Sequence, residues 1–268
     1  MRSSAASDVY KRQPLFECTY RGKVHAKNKG GVDMYFVDRI KPELSENGEG
    51  LIPNEQFHNY VNLLLYSSIN YRKAERYIVR KLEKELPPNL HYHGVHHTLD
   101  VTRATEMYAH YENISGEDLY LLKTAALYHD AGFIHQYSQN EPIAVELSRK
   151  ALPKFGYTKE QIDVVAGLIL ATRVPHSPQS HLDQIMCDAD LDYLGRDDFH
   201  EISDRLKLEL KDHGVVSSDR QWDEIQVKFF SMHRYFTKTA LRIRQEKKME
   251  HLALIKARLA KDNYPDGS

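Results

Sequence analysis

Ala125-Ala126-Leu127-Tyr128-His129-Asp130-Ala131-Gly132 sets two ionisable side chains at the end of an apolar run that begins at Leu121. The near-continuous Leu and Ala predict a buried helix over residues 117–131, and Gly132 predicts its C-terminal stop. His129 and Asp130 then lie where a helix end meets the interior. Two other segments have the same character. In Tyr92-His93-Gly94-Val95-His96-His97-Thr98-Leu99-Asp100-Val101, His93 and His97 stand four residues apart, which puts them on one face of a helix. In Cys187-Asp188-Ala189-Asp190-Leu191-Asp192, the aspartates follow the apolar pair Ile185-Met186. Burying so many ionisable groups without partners costs on the order of a few kcal/mol each, and a divalent cation removes the conflict. Imidazole with carboxylate suits Zn, Fe, Mn, Co or Ni better than Ca.

Outward from these segments the chain reads as mainly α. Asn54 is a candidate N-cap, and Phe57, Val61, Leu64 and Leu65 recur at helical spacing before a charged run that ends at Pro87-Pro88. Further helices are expected over 95–111, 142–155, 159–171, 196–213 and 222–259. Upstream, Leu15 to Val37 holds two stretches rich in β-branched and aromatic residues around Asn28-Lys29-Gly30-Gly31, a hairpin signal. The expected organisation is a β-hairpin at 14–38, a Pro- and Gly-bearing linker at 39–53, an all-helical domain at 54–262 and a tail at 263–268. Asp8 to Gln13 resembles a translated transposon adapter used in preparing sequencing libraries. Residues 1–13 are therefore expected to be a non-native tail, with the natural protein starting upstream of Pro14.

The order of the motifs narrows the class. A His, then His-Asp in an Ala/Leu-rich helix followed by Gly, then Asp in an Asp-Ala-Asp triplet resembles the HD superfamily of metal-dependent phosphohydrolases, over roughly residues 57–259. That resemblance implies an all-helical fold, a phosphoester hydrolase activity and a divalent metal (Mn, Fe, Co, Ni, Zn or Mg), with His97, His129, Asp130 and Asp188 as ligands. Tyr92-His93 to His97 is also similar to cyclic-nucleotide phosphodiesterases, which makes His93 the proton donor to the leaving oxygen, while Asp130 orients the attacking water. Lys123, Arg173 and His176 are candidates for neutralising phosphoryl charge, or else solvated surface residues. Asp190 is either a residue behind the ligands or a helix cap. Many relatives carry His-Glu where this chain has Asn140-Glu141; Asn is a poor metal ligand, and His135 is a possible substitute. His233 lies in an aromatic segment and is a candidate site wall.

The hairpin itself resembles the last hairpin of class III adenylate and guanylate cyclase domains, through Arg21-Gly22, Lys27-Asn28-Lys29-Gly30 and Tyr35-Phe36. By that likeness Lys27 matches a phosphate-contacting lysine, the chain is a fragment of a cyclase-HD signalling protein, and a homodimer is implied. The metal-binding aspartates of a cyclase are absent from the sequence, so the fragment cannot cyclise a nucleotide. Composition constrains the partners. The 268 residues carry 37 Lys plus Arg against 38 Asp plus Glu, a net charge of -1, which argues against nucleic acid as a partner. The least polar run, Val164 to Ala171, is too short to cross a bilayer. Two cysteines without CxxC spacing suit a reducing cytoplasm. The expected ligand is a small phosphoester, a nucleotide or cyclic nucleotide; the alternative is a catalytically weak metal- and nucleotide-binding regulatory module, and a di-iron redox protein would need extra histidines such as His135 and His176.

Overall fold

A hairpin of two long strands cannot bury both faces alone, so the N-terminal residues need a partner surface. The computed structural model describes residues 4–5, 15–26, 30–58, 61, 69–261 and 264, and divides the chain into two compact units, Met1–Ile69 and Asn70–Ser268. In the first unit β2 (Phe16–Ala26) and β3 (Gly30–Ile40) pair antiparallel from Phe16 opposite Ile40 to Ala26 opposite Gly30, as the hairpin signal predicts. The short β1 (Ser4–Ala5) pairs with Tyr35 and Met34 on the other edge of β3. Lys27, the residue matched to a cyclase lysine, lies outside the described residues. Asn54 does start a helix, its Oδ1 accepting from the Phe57 amide at 3.0 Å.

That helix belongs with the hairpin. Phe57 and Val61 pack on Leu15, Ile40 and Leu44, and the Phe57 ring meets Phe16 edge-on at 5.7 Å. The expected boundary at 53/54 therefore moves to 69/70, because the apolar side of the helix covers the hairpin. The expected linker at 39–53 is folded too. It holds two short 3-10 turns, Leu44 is buried, and Ser45 Oγ accepts from the Gly50 amide at 2.8 Å.

The second unit is built from α1 (Tyr71–Glu85), α2 (Val95–Tyr111), α3 (Gly116–Tyr128), α4 (Asn140–Ala151), α5 (Lys159–Ala171), α6 (His181–Asp190), α7 (Phe199–Asp212), α8 (Asp219–Met232) and α9 (Lys238–Lys261). Its centre is α3, whose last turns are buried all round, as an unbroken apolar run demands. It packs against α1, α2, α5 and α6. The helix stops at Tyr128, and His129, Asp130 and a 3-10 turn at Ala131–Ile134 carry the chain across the interior.

Two expectations change. Residues 222–259 form two helices, because Asp188 accepts hydrogen bonds from the amides of Phe236 (2.9 Å) and Thr237 (2.7 Å) and holds a break at 233–237. The tail expected at 263–268 includes Tyr264, whose hydroxyl donates to Asp223 at 2.6 Å.

Gly132 is required by packing. A Cβ there would lie 1.9 Å from the Asn140 carbonyl, at the start of α4. Gly132→Ala is expected to cost about 2 kcal/mol or more, read as a lower denaturant midpoint at unchanged slope.

Candidate active site

Three helix ends deliver the central side chains. α2 begins at Val95 and presents His97 in its first turn; His129 and Asp130 directly follow the end of α3; α6 ends at Asp190. His129 Nε2 lies 3.1 Å from Asp130 Oδ2, 3.2 Å from Asp190 Oδ1 and 3.4 Å from His97 Nε2. His97 Nε2 lies 3.4 Å from Asp130 Oδ2 and 3.3 Å from Asp190 Oδ1. Two imidazole nitrogens and two carboxylates thus meet in the interior.

The tautomer of His129 is set from behind. Its Nδ1–H donates to the Ala126 carbonyl at 2.7 Å, so in the neutral ring the Nε2 lone pair faces the cluster. Two such rings pointing nitrogen at nitrogen across 3.4 Å, with Asp130 Oδ2 buried and lacking a hydrogen-bond partner, are a donor set awaiting a positive charge. Protons do part of that work in the metal-free protein. Burial alone would lower the His129 pKa, yet Asp130 and Asp190 hold it well above the ordinary histidine range. Burial would likewise raise the Asp190 pKa, but His129 and His97 hold it far below the usual carboxylate range. A divalent cation fits the same residues: His97, His129 and Asp190 each offer one ligand atom within 4.8 Å of the others, and Asp130 offers the orphaned oxygen.

Asp188, the aspartate expected among the ligands, points elsewhere. It is fully buried on the amides of Phe236 and Thr237, and burial lifts its carboxyl to about 6 against the pull of those amides. Residues two apart on a helix differ by roughly 200° in direction, so only one of Asp188 and Asp190 can face the histidines.

His93 stands beside the cluster, stacked on Phe133 with ring centroids 4.2 Å apart. Its Nδ1 is hydrogen-bonded to Glu209 Oε1. Glu209, on α7 and fully buried, also accepts from the amides of Tyr92 (2.8 Å) and His93 (3.0 Å) and from the Tyr137 hydroxyl (3.0 Å). Burial opposes charge on both partners, but their contact wins: His93 is raised and Glu209 lowered to about 2. The carboxylate thus favours the protonated form of the His93 ring and leaves Nε2 free of that contact.

Beyond the cluster opens a cavity of about 430 Å³. Tyr92, His93, His97, Asp130 and Asp190 line its head, and Tyr193, Phe199, Trp222, Phe229 and Phe230 line its body. Asn140 and Glu141 line it as well, and Asn140 Oδ1 and Glu141 Oε2 are buried without hydrogen-bond partners. The expected charge-neutralising residues are not brought here. Lys123 binds Glu106 at 3.0 Å and lies over the Tyr71 ring; Arg173 is half exposed, 3.9 Å from Glu141; His176 donates from Nε2 to the Thr172 carbonyl at 3.1 Å and lines a separate cavity of about 90 Å³ with His233. His135 is exposed and lines neither cavity.

Residues 94–192 match the family described as HD domain, a span that contains His97, His129, Asp130 and Asp190. Bacillus subtilis YpgQ is similar in fold at 21% identity, with 75% of this chain and 100% of that chain covered and a TM-score of 0.53. Its complex with ADP aligns at 20% identity, 74% and 100% coverage and a TM-score of 0.52. A predicted HD superfamily hydrolase from an uncultured Thermotogales bacterium aligns at 21% identity over 71% of this chain and 91% of that one, with a TM-score of 0.47. No curated protein matches the chain. Residues 94–192 of the helical unit are thus similar to the HD domain, and the fold is shared with YpgQ. Among the described residues, no helix is long and apolar enough to cross a membrane.

Proposed function

We propose that the chain is a metal-dependent phosphohydrolase acting on a phosphoester of a nucleotide or cyclic nucleotide. The observation that carries this reading is the meeting of His97, His129, Asp130 and Asp190 beside a His93–Glu209 pair at the head of a cavity. His97, His129, Asp130 and Asp190 would hold the ion, which supplies Lewis acidity toward a phosphoryl oxygen and brings water to nucleophilic strength near neutral pH. Asp130 Oδ2 is the buried acceptor available to orient the attacking water. His93, whose protonated form Glu209 favours, donates a proton to the leaving alkoxide, and Glu209 stabilises the charged ring between turnovers. The aromatic body of the cavity suits a nucleobase. The ADP bound by YpgQ supports a nucleotide ligand, the hairpin's likeness to a cyclase supports a cyclic-nucleotide setting and a homodimer, and the two cysteines without CxxC spacing support a cytoplasmic location.

A second reading, a weakly catalytic metal- and nucleotide-binding module, is favoured by Asn140 in the place of the family histidine. One experiment separates them. The chain, purified without chelator and supplied with divalent metals in turn, is assayed for phosphate or nucleotide release on a panel of nucleotides and cyclic nucleotides, beside His129→Ala. Metal-dependent release that His129→Ala abolishes supports the hydrolase; stoichiometric metal and nucleotide binding without turnover on any member supports the module.

A further inference from the structure

α1 carries a second concentration of charge, away from the cluster of His97, His129, Asp130 and Asp190. Its buried side is Tyr71, Ala74, Ile78 and Leu82, and the helix packs on α3 and on the 3-10 turn at Ala131–Ile134. The other side is basic. Lys73, Arg76, Arg80 and Lys84 recur three or four residues apart, so they share a face over about 16 Å of helix. All four are exposed. With Tyr77, Lys81, Glu85 and Phe155 they line a concavity of about 460 Å³ that shares no residue with the cavity at the cluster.

The charge in this concavity is not balanced from within. Of the three carboxylates on α1 only Glu85 lines it, and Glu85 is paired with Lys81 at 2.5 Å. Among the described residues, Lys73, Arg76, Arg80 and Lys84 have no carboxylate at ion-pair distance; Arg76 donates from Nε to the Arg72 carbonyl at 3.2 Å and leaves the end of its guanidinium free. Like charges at these spacings destabilise a helix, and no described carboxylate offsets them. An aromatic pair stands in the same wall. Tyr77 is 39% exposed, and its ring lies 5.5 Å from that of Phe155 at an interplanar angle of 51°. The whole chain carries a net charge of -1, so the positive field is local to this face. A concavity of this volume is of the size that takes a small ligand. Four unpaired cations outnumber the charge of a single phosphate and suit a chain of them.

We infer that this face of α1 is a second ligand site, separate from the catalytic cavity, for a condensed phosphate chain, either inorganic or the di- or triphosphate of a nucleotide. Arg76 and Arg80 hold phosphate oxygens with their guanidinium forks, and Lys73 and Lys84 extend the field to either end. The Tyr77–Phe155 wall takes the base of a nucleotide.

The test is made on protein stripped of metal and dialysed free of chelator, so that the catalytic cavity holds no ion to draw phosphate. Calorimetry with ATP, inorganic tripolyphosphate and orthophosphate is run on the wild type, Arg76→Gln/Arg80→Gln, Tyr77→Ala and His129→Ala. No turnover is read, so the outcome is independent of the hydrolase reading. ATP or tripolyphosphate is expected to bind about tenfold or more tighter than orthophosphate, and to lose about tenfold in the double arginine variant or in high salt. Tighter binding of ATP than of tripolyphosphate, reduced by Tyr77→Ala, assigns the nucleotide; equal or weaker binding of ATP, indifferent to Tyr77, assigns the inorganic chain. Binding unchanged in the double arginine variant, or lost only in His129→Ala, belongs to another site and overturns the inference. Failure of both polyanions to bind at millimolar concentration overturns it as well, and capture of the wild type but not the arginine variant by phosphatidylserine–phosphatidylcholine vesicles would then assign the face to a membrane surface. Lys73→Gln/Lys84→Gln provides the same reading if the arginine variant does not fold.

Discussion

Asp190→Ala is expected to strip the bound metal, weakening its affinity by about a hundredfold or more, and to abolish hydrolysis, whereas Asp188→Asn keeps both. The two aspartates are separated by one alanine but have different partners: Asp190 Oδ1 lies 3.3 Å from His97 and 3.2 Å from His129, while Asp188 takes the amides of Phe236 and Thr237. The Phe236 and Thr237 amides make their shortest contacts to different oxygens of Asp188, so an asparagine there keeps one of the two hydrogen bonds, sets its NH2 against the other amide and removes a buried carboxyl that burial has raised to about 6. Its effect is therefore confined to the break between α8 and α9. Metal content by mass spectrometry, with a melting curve as control, reads the difference. Loss of metal in Asp188→Asn with retention in Asp190→Ala would reverse the assignment.

Glu209→Gln should lower kcat by about tenfold to a hundredfold and move the alkaline limb of the pH profile downward. The sign follows from the pair. A proton donor must be protonated, so activity is lost as pH rises through the His93 pKa, and Glu209 holds that pKa above the ordinary histidine value. Glutamine keeps a hydrogen bond to the ring but no charge, so the pKa falls and the limb moves to lower pH. His93→Ala should lose the alkaline limb altogether, at a cost of about a hundredfold or more in kcat. The checking measurement is kcat/KM from pH 5 to 10 for the three proteins, with metal content held equal. A limb that stays in place in Glu209→Gln would remove the imidazolium from the mechanism.

Much of this site is legible in the sequence because its chemistry conflicts with its surroundings. His129 and Asp130 stand at the end of an apolar helix, and His93 and His97 share a helix face, so each is visible as a polar group where burial is expected. The choice between Asp188 and Asp190 is not visible in the same way. Residues 185–189 are all buried, so the C-terminal half of α6 has no solvent face from which to judge direction. Glu209 is visible in principle, as a lone carboxylate within Leu206-Lys207-Leu208-Glu209-Leu210, but α7 otherwise reads as an amphipathic surface helix and its partner lies more than a hundred residues away.

The fold shows the same division. Helices over 95–111 and 159–171 are bounded as the sequence predicts, because a glycine turn and a Thr158 capping box act locally. The break at 233–237 depends on Asp188, a residue distant in sequence, and the helical periodicity of 222–259 does not reveal it. The boundary at 69/70 depends on which surface Phe57 and Val61 cover, which spacing alone leaves open.

The measurement that tests the central claim most directly is an anomalous difference map, recorded at the absorption edge of the metal that supports the highest hydrolysis. The account predicts one strong peak roughly 2.0–2.3 Å from His97 Nε2, His129 Nε2 and Asp190 Oδ1, with an Asp130 oxygen in the same shell. A peak on Asp188, or a fully loaded and active protein with no peak at the two histidines, would contradict it.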